Sequence, residues 1–384
     1  MAIYLYWASL TAFALSALAL VHPYVTYPLS LALLRQFKST PLNVGGPEPQ
    51  SFAILCCAYN EIHVIEKKIQ NLLEVKKRLG NCRVYLYSDG STDGTNEVIR
   101  RFENDITVVI SEKRLGKTAG INHLKDICTE EIIIFTDANV LIDVDSVDSL
   151  KYYFRDSSVG CITGHLIFVN PNESETARVS AFYRGFEERL KRLETDTGSV
   201  VYADGTLFAI RSMLFARVPA DLTDDLFTAL TVLIRGYRNI AADKLIAREK
   251  AATARDDEFN RRKRIGCHVF NCHRLLWPAI RRLDKLTVYK YISHKLLRWL
   301  SGYFLLTSYL SFLHLVGLSF GVEWSVGALT LTVLLAACGM GAKRSLLAFA
   351  YEGIAVTIAI AIGVYLSVRG EKFELWNSAG SSRN

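Results

Sequence analysis

The sequence predicts an α/β domain, a parallel sheet with helices on both faces, with transmembrane helices at both ends and interfacial helices beside it. Three observations carry that prediction. Met1 to Leu34 and the runs Leu300–Val322, Trp324–Ala342 and Ser345–Val368 are apolar, interrupted by the single acid Glu352. Between them, short apolar runs alternate with helical periods, the pattern of a buried parallel sheet. The charge is also uneven. Of a net +7, the block from Arg261 to Trp299 holds eleven Lys/Arg against Asp284 alone, so it is +10 and the remainder −3.

With 384 residues, 50% hydrophobic and 22% charged, the chain is neither disordered nor fibrous and has room for two or three domains. The N-terminal run comes first. A cleaved signal peptide carries a basic n-region and a shorter apolar stretch. This run has its first base at Arg35, so residues 1–36 read as a retained transmembrane helix with kinks at Pro23 and Pro28. Residues 35–299 hold most of the Lys and Arg and belong in the cytoplasm by the positive-inside rule. The N-terminus is then outside, and Lys343 and Arg344 sit in a cytoplasmic turn. The tail, 369–384, lies outside despite Arg369, Lys372 and Arg383. The predicted setting is a multi-pass protein of the cell membrane, specifically a bacterial inner membrane.

Residues 50–260 form the sheet domain. Phe52–Tyr59 is a buried strand followed by a helix from His63 to Arg78. Arg83–Ser88, a helix over Asp93–Phe102, Ile106–Ser111, a helix near Thr118–Cys128 and Glu131–Thr136 repeat the alternation. Ligands bind beyond the carboxyl ends of such strands. Those ends carry Asn60-Glu61, Asp89-Gly90, Glu112-Lys113 and Asp137-Ala138-Asn139. Their convergence marks the candidate site.

Each polar cluster has a plain reading and a chemical one. Asp89 sits in SDGSTDGT, where Gly90 and Gly94 permit a tight turn and Ser91 or Thr92 can cap a helix. It is either a turn residue or a carboxylate facing the imino N–H of a base. Lys113 to Asn122 places three cations and a glycine before a helix, an anion site or a solvated cluster. Asp137 and Asn139 are a polar strand end, or oxygen ligands for a hard divalent ion that also holds a diphosphate. Asp224 and Asp225 open a helix, where the dipole favours acids. Adjacent carboxylates also raise one another's proton affinity, which suits one of them to general-base work. Arg261-Arg262-Lys263-Arg264 faces lipid or stabilises a leaving diphosphate.

The apolar neighbours favour anionic lipid over nucleic acid as partner of the basic block. There Ile265, Val269, Trp277 and Leu296 intersperse with cations, as in helices lying in the headgroup plane, so 261–299 is predicted to be interfacial. Three transmembrane helices over 300–368 follow. The eight cysteines show no disulfide framework. Cys267-His268 and Cys272-His273 suggest zinc, but ligands five apart point about 140° away from each other on a helix. Reduced thiols are the better reading.

Taken in order, CAYNE (57–61), SDGSTDGT (88–95), GKTAGIN (116–122), FTDANV (135–140), ADGTLFAIR (203–211), TDDLFTALTVLIRGYR (223–238), EFNRRKRIG (258–266) and SHKLLRWL (293–300) form a series. It resembles the membrane-integrated family 2 glycosyltransferases, the group of cellulose, hyaluronan and chitin-oligosaccharide synthases. The resemblance implies a GT-A, Rossmann-like nucleotide-sugar domain using Mg2+ or Mn2+. It implies that Asp89 contacts the nucleobase, that Ala58 and Glu61 line its pocket, and that Lys117 lies near the base or diphosphate. Asp137 and Asn139 match the metal-binding DxD, Asp225 beside Asp224 matches the general base, and Arg264 matches the arginine of QxxRW. The Gln and Trp of that motif are here Arg261 and Ile265. That Trp stacks on the acceptor sugar in processive enzymes, and the likeness is closer to bacterial members with DAN, DDF (here DDL) and RRxRI.

The implied reaction is an inverting transfer from a UDP-sugar to a saccharide or lipid-linked acceptor at the bilayer, in exopolysaccharide or surface-glycan synthesis. Two other readings stay open. One is a polyprenyl-phosphate glycosyltransferase of the same fold. The other is an inactive membrane scaffold or export component, against which Asp89, Asp137 and Asp225 argue.

Overall fold

The computed structural model describes residues 2–341 and 345–373. Lys343, Arg344 and residues 374–384, with Arg383, lie outside the described residues, and so does the predicted cytoplasmic turn. The N-terminal run is two helices, α1 (Ala2–Val21) and α2 (Thr26–Phe37), rather than one anchor reaching residue 36. The chain turns over residues 22–25, and Pro28 falls in the first turn of α2, where a missing N–H costs nothing. Of this run, Ile3–Val21 is long and apolar enough to cross a bilayer.

The sheet domain runs β1 (Phe52–Ala58), α3 (Ile65–Leu79), β2 (Cys82–Asp89), α4 (Thr95–Arg100), β3 (Thr107–Ser111), α5 (Lys117–Ile127) and β4 (Ile132–Asp137). Every residue of β1 is buried, because both faces are covered. Phe52, Ile54, Cys56 and Ala58 join the core beneath α3, while Ala53, Leu55 and Cys57 join the core beneath α5. Helix α3 forms because Ile65, Ile69, Leu72, Val75 and Leu79 recur at helical spacing, with Glu66 in its first turn and Lys76, Lys77 and Arg78 in its last. It stops at Gly80, whose φ of 85° suits glycine.

The chain continues through β5 (Leu141–Ile142), α6 (Asp148–Tyr153), β6 (Val159–Phe168), α7 (Glu175–Asp196), β7 (Leu207–Arg211), α8 (Asp224–Ile234) and β8 (Arg238–Glu249). The strand order is β3-β2-β1-β4-β7-β6-β8-β5. The first four strands are parallel, as predicted. Strand β7 then runs antiparallel to β4 and β6, and β5 antiparallel to β8, so the sheet is mixed.

Helix α9 (Arg255–Ile280) starts six residues before the predicted interfacial block. It is followed by α10 (Lys285–Tyr291), a π-helical turn (Ile292–Leu296) and α11 (Leu297–Trp299). Trp277 and Leu296 do not face outward. They pack on the core formed by Leu226, Leu230 and Leu233 of α8 with Trp299, because the apolar face of α8 would otherwise be uncovered. Helices α12 (Ser301–Phe320), α13 (Val322–Gly341) and α14 (Leu346–Val368) complete the described chain, and each is long and apolar enough to cross a membrane. Helix α1 lies along α12, with Phe13 and Phe312 at 6.5 Å and Ser9 Oγ 2.7 Å from His314 Nδ1.

Helix α7 joins the sheet to the membrane helices through buried charge. Glu187 and Glu194 are 3% and 0% exposed, so each carboxylate needs partners. His294, from the π-helical turn, sets Nδ1 2.7 Å from Glu194 and Nε2 3.1 Å from Glu187. Arg298 of α11 and Lys295 pair with Glu187, Lys290 of α10 donates to the Glu194 carbonyl at 2.7 Å, and Tyr27 of α2 donates to the Glu194 carboxylate. Burial alone would raise Glu187's pKa, but Arg298, His294 and Lys295 hold it well below the usual carboxylate range. Removing one partner of such a pair strands the other. Arg298→Met should therefore cost about 3–5 kcal/mol. The double variant Glu187→Gln/Arg298→Met should recover most of that loss, as thermal unfolding of the detergent-solubilised chain would measure.

Candidate active site

The site stands where the predicted strand ends converge, closed by α8 and the first turns of α9. A cavity of about 960 Å³ is lined by Glu61, Lys117, Asp137, Asn139, Asp224, Asp225 and Arg264, seven of the nine residues expected from the sequence. The other two, Ala58 and Asp89, are fully buried behind it.

Asp89 is buried at the end of β2. Its carboxylate accepts the backbone N–H groups of Leu115 and Gly116 at 2.7 and 2.9 Å. It pins the loop that enters α5. The preceding SDGSTDGT turn is held to the end of β1: Asn60 N–H donates to Ser91, Thr92 N–H to Asn60, and Glu61 N–H to Thr95. Asn60 adopts a left-handed φ of 52°, which asparagine tolerates. Arg114 lies 3.8 Å over the Tyr59 ring at this edge.

Lys117 opens α5 and reaches across the cavity. Its ammonium is 2.8 Å from Asp137 and 3.1 Å from Asp224. Burial would lower the lysine's pKa, but Asp137 and Asp224 outweigh it and keep the ammonium well above its ordinary value. That bridge joins the end of β4 to the start of α8. The β4 end is also held from below. Lys68, fully buried on α3, donates to Thr136 Oγ1 at 2.8 Å and to the Val140 carbonyl, and burial lowers it to about 8.

Asp225 stands beside this bridge without an ion pair among the described residues. Its Oδ1 accepts the N–H of Leu226 at 2.6 Å. Burial and the neighbouring Asp224 push its pKa up to about 6, with Lys117 pulling against them. In the same cavity, burial and then Arg261 and Arg114 lower the pKa of Arg264 to about 10. Cations outnumber anions around it, and that setting suits an anionic ligand.

Three residues here were missed by the sequence reading as site residues. Gly205 faces Asp225, and a Cβ built there would stand 2.9 Å from Asp225 Oδ2. Asp204, just before it, is fixed by an ion pair with Arg184 and by Thr206, which hold its pKa well below the carboxylate range against burial. Both lie in ADGT, whose Asp-Gly pair was a signal. Glu249 closes β8, accepts from Asn139 Nδ2 at 2.9 Å, and keeps Oε2 out of solvent with no hydrogen-bond partner among the described residues. Burial raises its pKa. No local pattern marked it. The cysteine–histidine pairs hold no metal cluster among the described residues, where Cys267 and Cys272 are buried free thiols.

Residues 53–218 match the glycosyl transferase family 2 model. A stretch of 135 residues, 34% of the chain, is 27% identical to the uncharacterized glycosyltransferase YaiP of Escherichia coli K12, and the match spans 33% of that relative's length. The chain also superposes over 92% of its length on 98% of the mannosyltransferase PcManGT from Pyrobaculum calidifontis, solved with GDP-Man and Mn2+, at TM-score 0.72 and 21% identity. The mixed sheet is thus a GT-A fold, and residues 53–218 within it match the glycosyl transferase family 2 model. In a transferase that used Asp225 as its base, the Gly205 contact has a measurable consequence. Gly205→Ala should displace the Asp225 carboxylate and lower kcat about tenfold or more, since misplacements near 1 Å cost up to about 10²-fold. Its melting temperature should stay close to that of the wild type, because the displaced atom is the end of a side chain.

Proposed function

We propose that this chain, bearing a family 2 glycosyltransferase domain, transfers a sugar from a nucleotide diphosphate sugar to an acceptor hydroxyl at the membrane surface. The observation that carries the proposal is the division of charge in one cavity. Asp225 has a pKa raised to about 6, Arg264 lines the same cavity, and Lys117 lies between Asp137 and Asp224. A base poised near the working pH suits removal of a hydroxyl proton. The proton passes to an Asp225 carboxylate oxygen as the acceptor oxygen attacks the anomeric carbon. The bond to the departing diphosphate breaks on the far face, which inverts that centre. Arg264 faces the developing diphosphate charge. Asp89 serves this reading indirectly, by holding the 113–116 loop at the nucleotide edge.

A divalent cation, Mg2+ or Mn2+, fits the oxygen donors available. Asp137, the Asn139 amide oxygen and the unpartnered Glu249 Oε2 are the hard ligands such ions take. When bound, the ion would neutralise the donor's diphosphate. Asn139 is one charge short of a second Asp, and Glu249, bonded to it, restores that charge from another strand.

Purified protein offered a panel of UDP- and GDP-sugars with membrane lipids and oligosaccharides should consume one donor and yield a glycosylated product. Hydrolysis or transfer of none would refute the reading. Asp225→Asn should retain donor binding and lose at least about 100-fold in turnover, the scale of a lost general base. In the wild type, kcat/KM should climb with pH through about 6 and level off above it, because the base acts only when deprotonated. Excess chelator should abolish turnover, and full activity in chelator would exclude the metal.

A further inference from the structure

By composition α14 is the most apolar of the four long helices, yet its packing is unlike the others. Of its spanning window 28% is buried within the protein, against 0–6% for α1, α12 and α13. What buries it is the catalytic domain. Helix α12 leaves that domain at Ser301, whose hydroxyl donates to the Arg298 carbonyl. Helix α13 comes back to it at Met340, whose carbonyl accepts from Arg255 of α9. The start of α12 and the end of α13 therefore lie at one face of the bilayer.

Helix α14 touches both of those ends in succession. A Cβ built at Gly339 would meet the Leu347 carbonyl at 2.8 Å, and one at Gly302 would meet Ala361 Cβ at 2.6 Å. Tyr303 also donates to the Ala361 carbonyl at 2.8 Å. A helix that passes from the end of one span to the start of another lies across them. Along the same length α14 is laid on α9: Glu352 pairs with Arg255, Ile360 abuts Gly266, and the Ser367 carbonyl accepts from Arg274 at 2.6 Å. Beyond its end, Lys372 pairs with Asp221 at 3.2 Å and the Glu371 carbonyl accepts from Asn271. Helix α9 carries Arg261, Arg262, Lys263 and Arg264 and opens into the catalytic cavity, so it cannot sit in the hydrocarbon core.

We propose that α14 does not cross the membrane but lies in its plane at the catalytic face. One side rests on α9, and its exposed stripe, Ile354, Ile358, Ile362 and Tyr365, enters the headgroup–acyl boundary. The described chain then crosses three times, through α1, α12 and α13, and residues 369–373 are on the side of the catalytic domain. The occupant of the stripe is lipid, because the stripe continues the apolar surface of the spanning helices. The opposite edge of α14 has a use as well. Gly353, Val356, Thr357 and Ile360 line the cavity that holds Asp225 and Arg264, so the cavity has a wall at headgroup depth.

Nitroxide labels placed singly at residues 354, 358, 362 and 365 of the full chain in vesicles of anionic and zwitterionic lipid test this by depth. A common depth of about 5–10 Å below the headgroups is expected. Depths that pass from one face through the centre, about 15 Å down, to the other would overturn it. For the unsubstituted chain, one epitope tag after Asn384 and another beside Tyr152, on the exposed surface of α6, should be cleaved together in inside-out vesicles. Cleavage of the two tags from opposite sides would overturn the proposal independently of any activity.

Discussion

Two carboxylates buried in one helix hold this molecule together. Glu187 and Glu194 of α7 cannot be left unpaired in an interior, and the cations that satisfy them come from α10, the π-helical turn and α11. Those elements lead directly into α12. The position of the first C-terminal span relative to the sheet is thus set by electrostatic satisfaction as well as by apolar packing. Tyr27 brings α2 into the same network, so the N-terminal and C-terminal membrane segments are tied to one strip of α7. Lys295, stacked 3.0 Å over the Tyr202 ring, extends the strip toward Ala203, Asp204 and the cavity.

The candidate site rests on a smaller version of the same constraint. Lys117 is shared by Asp137 and Asp224, which leaves Asp225 as the carboxylate of the trio whose charge is least compensated. Its raised proton affinity follows from burial and from the adjacent Asp224, with Lys117 pulling the other way. The glycine at 205 keeps open the space its carboxylate needs. Support comes from behind: Lys68 steadies the end of β4, Asp89 the entry to α5, and Asp204 the turn before β7. Lys68 and Asp89 lie behind the lining and Asp204 is part of it, and each fixes an element of the wall.

The membrane side joins the chemistry through α9 and α14. Both helices line the cavity, one with arginines and one with apolar residues. A wall rich in arginines and an apolar wall adjoin at the space where sugar transfer is proposed. Gly266 and Gly363 make that pairing close, since neither position leaves room for a Cβ against the other helix.

The sequence by itself determined the strands β1 to β4 and the helices between them, and seven of the nine site residues expected from it line the cavity. It could do so because a strand buried on both faces must be continuously apolar, and its polar end must face the ligand edge. Helix spacing and glycine stops are likewise local properties. Tertiary structure decided the rest. The Asp89 carboxylate is held by the N–H groups of Leu115 and Gly116, and the fold brings Glu249 to Asn139 from 110 residues away. Trp277 and Leu296 turned inward because α8 offered an apolar face, which no count along α9 reveals. Hydropathy marks α14 as long and apolar enough to cross a membrane, and it registers composition alone. Whether an apolar helix stands in lipid or lies on a protein depends on what packs against it, and here that is Arg255, Gly266 and Arg274 of a distant helix.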